Sequence, residues 1–224
     1  MVKKIQNIIF LGPPGSGKGT QAEMLAKEMN LPIIGPGKIF REEIKEQTKI
    51  GQEIWVAVGK GEMLPDDFVN QLMKEEVLKK KYAQGVILDG YPRSLYQVNF
   101  LEQVIPITHA ILVNISDAEA KERISGRRVC PSCGSTYHMK YNPPVRDEIC
   151  DKCSEKLITR TDDTKQAIKR RLDYYHRETE PVIYYYKQRG ILLDIDGEQP
   201  IERVQEDILK KLGGGTLINS NNAN

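Results

Sequence analysis

The chain has 224 residues, 33 Lys and Arg against 31 Asp and Glu, 39% hydrophobic and 29% charged residues, and a formal net charge of +2. That length suits one sizeable domain with room for an insertion, and the near-neutral charge argues against a dedicated nucleic-acid binder, which is usually strongly basic. The apolar stretch near the N-terminus is short and stops at glycines, and no other run approaches the eighteen residues of a membrane span, so a cytoplasmic, membrane-free protein is expected.

In chain order, "QNIIFLG" reads as a short buried strand, and "KGTQAEMLAKEMN" after it as a helix with Ala22, Leu25, Ala26 and Met29 on one face. "LPII" is a second strand. Residues 39–60 read as helical and charged, broken near Gly51, and "DDFVNQLMKEEVLKKK" as a helix with acids at its start and lysines at its end. "GVILDG", "HAILVNIS" and "ILLDIDG" are further strands, with helices expected over 95–104, 118–125, 164–187 and 200–212. Strands alternating with helices predict an α/β fold, a mostly parallel sheet covered on both faces. Residues 126–163 break the rhythm and read as an inserted small subdomain; the Gly- and Asn-rich end, 213–224, reads as a disordered tail.

"LGPPGSGKGT" carries a phosphate-binding loop. Gly12, Gly15 and Gly17 let successive N–H groups converge on phosphate oxygens, Lys18 adds a cation, and the following helix adds its dipole. Gly19 stands directly after the lysine and Thr20 one position later, a departure from the general pattern. The only four cysteines form Cys130-x2-Cys133 and Cys150-x2-Cys153, sixteen residues apart. That spacing predicts a closed tetrahedral four-cysteine site, most simply structural zinc. A segment of some forty residues buries too little apolar area to hold itself together, and a structural zinc contributes roughly 10–16 kcal/mol of apparent binding free energy to such a module.

"GKGT", "LDGYPR" at 88–93, "GRRVC" at 126–130 and "TRTDD" at 159–163, in this order and spacing, resemble the adenylate kinases, and the cysteines match the branch with a zinc-bearing lid. The resemblance covers residues 5 to about 212. It implies a phosphate-loop NTPase-type fold with a core of 1–34, 65–125 and 164–212, a segment at 35–64 that binds the nucleoside monophosphate, and a lid at 126–163. It also implies a monomer that transfers a phosphoryl group between ATP and AMP with Mg²⁺. Gly15, Ser16, Gly17, Lys18, Gly19 and Thr20 would hold the ATP phosphates. Arg123, Thr136, Tyr137 and the backbone at Gln199 would meet the ATP base. Arg41 and Arg93 would grip the AMP phosphate. Pro36, Glu62, Met63, Leu64, Gly90, Tyr91, Pro92 and Gln97 would complete the AMP site, with the Gln97 amide reading adenine. Arg127, Arg160 and Arg171 would converge on the transferred phosphate, and Asp89 would hold Mg²⁺ through water.

Moving a phosphoryl group between nucleotides needs alignment and positive charge more than covalent help, which is what such spread arginines supply. Asp162 and Asp163 are candidates beside the lid, explained nearly as well as caps of the helix near Thr164. His138 reads as a lid residue rather than a ligand. Where the family shows a hydroxyl residue and an acid ahead of its acceptor-site arginine, this chain has Pro36 and Lys38, so base preference stays open. The alternatives are a nucleoside monophosphate kinase of altered base preference, a phosphate-loop ATPase whose knuckle binds nucleic acid, and a regulatory dithiol protein.

Overall fold

The computed structural model describes residues 5–59 and 62–213; of the tail read over 213–224, Gly213 instead ends the last helix, and the rest, like the reading of Lys60 as helical, lies outside the described residues. The first half runs β1 (Gln6–Leu11), α1 (Lys18–Met29), β2 (Ile33–Ile34), α2 (Pro36–Lys45), α3 (Lys49–Gly59), α4 (Asp66–Val77), a 3₁₀ turn (Lys80–Tyr82) and β3 (Gly85–Asp89). Next come α5 (Leu95–Glu102), β4 (His109–Asn114), α6 (Asp117–Ser125), β5 (Arg127–Val129) and β6 (Thr136–His138). The chain then forms α7 (Lys165–Tyr174), a π turn (Tyr175–Thr179), α8 (Glu180–Gln188), β7 (Leu192–Asp196) and α9 (Ile201–Gly213).

Five strands pair in parallel in the order β2-β3-β1-β4-β7. Successive side chains of β1 alternate between two cores, as the period of a strand requires. Ile9 and Leu11 pack with Met73, Val98, Val182 and Tyr186 from α4, α5 and α8. Ile8 and Phe10 pack with Leu25, Val204 and Ile208 from α1 and α9. With both faces covered, each central strand is a continuous apolar run, which is why these strands were legible. No helix among the described residues is long and apolar enough to cross a membrane.

β1 lies between β3 and β4, so the loops following all three open at the same edge of the sheet. Residues 126–163 leave that edge between α6 and α7 and carry a separate antiparallel pair, β5–β6, over a small core of Cys130, Tyr137, Cys150 and Leu157. Ile115, Ala120, Ile124, Ile168 and Leu172 pack α6 against α7 beneath it.

Two boundaries differ from the sequence reading. The helical stretch after β2 breaks at 46–48, not at Gly51. Gln47 takes φ 52° there, and the Thr48 hydroxyl accepts from Gly51 N at 2.9 Å to start α3. Gly51 is instead where α3 meets α2: a Cβ on it would lie 2.1 Å from the carbonyl oxygen of Glu43. The helix read over 164–187 is interrupted by the π turn, immediately before Pro181 in the first turn of α8. Proline has no N–H for an i−4 carbonyl, and the widened turn accommodates the missing bond.

Gly51→Ala is expected to separate α2 from α3 despite alanine's better helix propensity, because the clash is with backbone. The cost should be about 1–3 kcal/mol, read as a lower melting temperature and faster hydrogen exchange over 36–59. Unchanged exchange there would show that the crossing is not tight.

Candidate active site

The loop after β1 turns on Gly12, whose φ of 142° and closeness to β4 leave no room for a side chain: a Cβ would sit 2.4 Å from the Val113 carbonyl oxygen. Beyond it Ser16 N donates to Pro13 O at 3.2 Å. Gly17 then precedes α1 with no side chain capping the helix. The uncapped first turn, which contains Gly19 and Thr20, presents N–H groups and the positive end of the helix dipole to whatever anion lies above Gly15 to Lys18.

A cavity of about 40 Å³ lies at this point, lined by Gly12, Pro14 and Lys18 on one side and by Gly90, Pro92, Arg93 and Met63 on the other. Arg171, Tyr174, Tyr175 and Thr179 close it from α7 and the π turn. The volume suits a group of phosphoryl size rather than a whole nucleotide, since one water needs about 10–15 Å³ on this measure. Lys18 Nζ donates to Pro13 O at 3.1 Å. Desolvation lowers its pKa to about 7, opposed by Asp89 and reinforced by Arg93, Arg171 and Arg127. Arg171 is likewise pulled down to about 10, by burial first, with Asp162 opposing. Several cations therefore face a small space without enough negative charge to balance them.

Arg93 is aimed by its own loop: Nε donates to Gly90 O at 2.7 Å, and the Thr179 hydroxyl donates to Arg93 O at 2.8 Å. Tyr91 is buried, its hydroxyl donating to Asn70 Oδ1 at 2.6 Å. Gln97 is also buried: Oε1 accepts from Arg93 N at 2.7 Å, and Nε2 donates to Asp66 Oδ1 at 2.7 Å. Asp66, read in the sequence only as helix-start chemistry, thus pins this glutamine, and its other oxygen accepts from Ser94 Oγ at 2.5 Å. Met63 Sδ lies 3.9 Å from Arg93 Nη1, while Glu62 is exposed and Leu64 half-buried beside it. Pro36 is buried as the first residue of α2, and Arg41 lies on the same helix within electrostatic reach of Arg160, Asp89 and Asp162.

The arginines around residues 126–163 are held by carboxylates. Arg127 forks onto Asp163, with Nε at 2.9 Å from Oδ2 and Nη2 on Oδ1. Arg160 forks onto Asp162 at 2.9 and 3.0 Å. Arg171 Nη1 reaches Asp162 Oδ2 at 2.9 Å and Asp163 Oδ1 at 3.5 Å. Burial works to raise the pKa of Asp162, but Arg160, Arg171 and Arg127 hold it below the usual carboxylate range. These aspartates are not helix caps. The Thr164 hydroxyl caps α7, accepting from Ala167 N at 3.2 Å. What the sequence lacked was the folding-back that puts residues 127, 160 and 171 together.

Asp89, at the end of β3, faces Gly19, and its Oδ1 is buried with no hydrogen-bond partner among the described residues. An orphaned carboxylate oxygen beside a phosphate loop fits a hydrated Mg²⁺. The four cysteine sulfurs all lie within 4.8 Å of one another, with Cys130–Cys153 at 3.3 Å and Cys133–Cys150 at 3.5 Å. A tetrahedral ion with bonds of about 2.3 Å spaces its sulfurs about 3.8 Å apart, so the set fits such an ion. The two knuckles match: Gly134 N donates to Cys130 O at 3.0 Å and Ser154 N to Cys150 O at 2.8 Å. Gly134 and Ser154 both take positive φ, at 75° and 61°. His138 stands apart, its Nδ1 accepting from the backbone of Lys140 and Tyr141.

Other predicted contacts are placed less directly. Arg123 pairs with Glu119 at 2.7 Å, reaches Ser16 O at 3.4 Å, and lies 5.4 Å from the Tyr141 ring. Thr136 is exposed, but Tyr137 turns inward, its hydroxyl accepting from Asp151 N at 2.9 Å and meeting Cys150 Sγ at 3.5 Å. Its ring therefore belongs to the knuckle, not to an open nucleotide surface. The Gln199 amide donates to Asp207 and to Asp196 O.

The comparisons with known proteins agree with this arrangement. The family model described as adenylate kinase matches residues 10–191. The chain belongs to the adenylate kinase family. It is 42% identical over 212 residues to an adenylate kinase of Caldanaerobacter subterraneus subsp. tengcongensis, covering 92% of this chain and 96% of that protein. An adenylate kinase of Methanocella arvoryzae is 40% identical over 205 residues, covering 89% of this chain and 95% of its own length.

A bound anion should recharge Lys18, so the complex holds more protons than the free protein between about pH 7 and 10. Saturating sulfate, which does not titrate there, is expected to draw protons from weakly buffered protein at pH 8, and less so in Lys18→Met. Its affinity should fall as pH rises through that window. Absence of uptake would mean that Lys18 is already charged in the free protein.

Proposed function

We propose that the protein transfers the terminal phosphoryl group of Mg-bound ATP to AMP, reversibly, giving two ADP. The observation that carries this reading is the cavity where Lys18, Arg93 and Arg171 face one another between the phosphate loop and the loop after β3, in a member of the adenylate kinase family.

On this reading the ATP phosphates lie on Gly15, Ser16, Gly17, Lys18, Gly19 and Thr20, at the start of α1. Arg123 lies against the ATP base, with Thr136 and the backbone of Tyr137 and Gln199 along its edge. Arg41 and Arg93 take the AMP phosphate, in a site walled by Pro36, Glu62, Met63, Leu64, Gly90, Tyr91 and Pro92. The Gln97 amide, after its two internal bonds, keeps one donor hydrogen and one acceptor lone pair, a set that suits the paired donor and acceptor of an adenine edge.

The residues of the chain do the remaining work by charge and position. Arg127, Arg160 and Arg171 turn from Asp162 and Asp163 to the phosphoryl oxygens. An arginine of this kind is worth roughly 10³–10⁵ in rate. Mg²⁺, held through water by Asp89, would neutralise phosphate charge when bound with the nucleotide. Residues 35–64 and 126–163 act as covers over the core, excluding the water that would otherwise hydrolyse ATP. Support for their meeting comes from Lys45 Nζ, which donates to Ser132 O within the first knuckle at 3.4 Å. Zinc in the four-cysteine site would keep the lid rigid as it moves.

Product formation from Mg·ATP offered with AMP, CMP, UMP or GMP, resolved by chromatography, tests the reading. ADP from AMP should dominate; equal or better use of another monophosphate would mean a different acceptor. A strong chelator should lower the melting temperature and loosen 126–163 in hydrogen exchange. Fully demetallated protein with unchanged melting would refute the structural role of the metal.

A further inference from the structure

Tyr174 lines the cavity with Lys18, Arg93 and Arg171, yet neither the sequence motifs nor the roles above assign it one. It follows Arg171 by three residues on α7, so both side chains lie on the same helical face. The π turn begins directly after it, and the Thr179 hydroxyl in that turn is bonded to Arg93 O at 2.8 Å, coupling this segment to the loop that carries Arg93.

The hydroxyl groups of Tyr82, Tyr91, Tyr96, Tyr137, Tyr141 and Tyr185 all have hydrogen-bond partners. That of Tyr174, half-buried, has none among the described residues; nor have those of Tyr175, Tyr184 and Tyr186, of which only Tyr175 also lines the cavity. Asp66, Arg93, Glu178 and Arg177 are the charged groups that act on Tyr174, and of these Arg93 lines the same cavity. Tyr175 also lines the cavity, but the charged groups that act on it are Glu180, Asp194 and Asp117, none of which lines the cavity. The Arg177 guanidinium lies 5.9 Å from the Tyr174 ring centre and helps fix the ring.

We propose that Tyr174 is a further substrate-binding residue of the acceptor site, donating its phenolic O–H to the phosphate of the acceptor nucleotide beside Arg93. The inference rests on the reaction proposed above. Burial raises its pKa to about 12, so the phenol keeps its proton throughout the working range. A neutral donor suits this position: another cation would add to the mutual repulsion of Lys18, Arg93 and Arg171, whereas a phenol gives a directed hydrogen bond without charge.

Tyr174→Phe removes the hydroxyl and leaves the ring and its contact with Arg177. In steady-state assays with Mg·ATP, the KM for AMP should rise about tenfold, as expected for a lost hydrogen bond to a charged group, while the KM for ATP and the melting temperature stay unchanged. Direct calorimetric binding of AMP without ATP should weaken by the same factor. Unchanged AMP binding would overturn the proposal, as would a fall in kcat with the AMP KM unaltered, which would place the phenol on the transferred group. Equal weakening of both nucleotides with a lower melting temperature would show a packing role only. If the wild-type protein itself does not phosphorylate AMP, the reaction reading fails, and orthophosphate binding to the two forms still decides whether the phenol holds a phosphate.

Discussion

Like charge held at close range is the constraint on which the rest of this structure depends. Lys18, Arg93 and Arg171 meet at one cavity, with Arg127 and Arg160 close behind, and desolvation strengthens their mutual repulsion. Left to side-chain flexibility these groups would separate into solvent. They stay because each is fixed by a different rigid element: the start of α1, the loop after β3, the ends of the inserted segment, and α7. A parallel sheet with three strand ends opening at one edge is a frame that brings such distant positions together. The apolar cores on its two faces offset the electrostatic cost at that edge.

Asp162 and Asp163 make the arrangement tolerable without nucleotide. They hold Arg127 and Arg160 in bidentate forks and both meet Nη1 of Arg171, occupying donors that phosphate oxygens would otherwise engage. Phosphate oxygens therefore compete with carboxylates already in place, and the guanidinium planes need little reorientation. The positions also matter. Arg127 and Arg160 lie at the two ends of 126–163, and Arg171 lies just beyond on α7. On the proposed function, an anion that engaged all three would gather the roots of the inserted segment, whose far end holds the paired knuckles. Charge neutralisation and closure would then be one event rather than two.

The sequence showed most of the frame and only part of the site, for identifiable reasons. β1, β3 and β4 were readable because strands buried on both faces are unbroken apolar runs. The phosphate loop and the cysteine pairs were readable because their chemistry is local, set by spacing within a few residues. Asp66 was read as a helix-start acid, and Asp162 and Asp163 as candidates beside the lid that capping explains nearly as well, because a carboxylate at a helix start is commonplace; only long-range folding shows that they hold Gln97 and the arginines. The break near Gly51 was misplaced because glycine marks both turns and close crossings, and here it marks a crossing. Pro181 was visible, but not that a widened turn would absorb it and carry Thr179 to Arg93.

The side of the site around Gln97 and Tyr91 differs in kind from the side of the phosphate loop. It is built largely from a buried neutral and singly charged network: Asp66 with Ser94 and Gln97, Gln97 with the Arg93 backbone, and Tyr91 with Asn70. Among the described residues, none of these groups is hydrogen-bonded to Pro36 or Lys38. Pro36 occupies the first position of α2, where the absent N–H has no carbonyl to meet, and Lys38 is exposed two residues on. The two departures from the family's pattern are thus absorbed by the start of one helix. The Gln97 amide is held from α4 and α5, so its orientation does not depend on what residues 36 and 38 are.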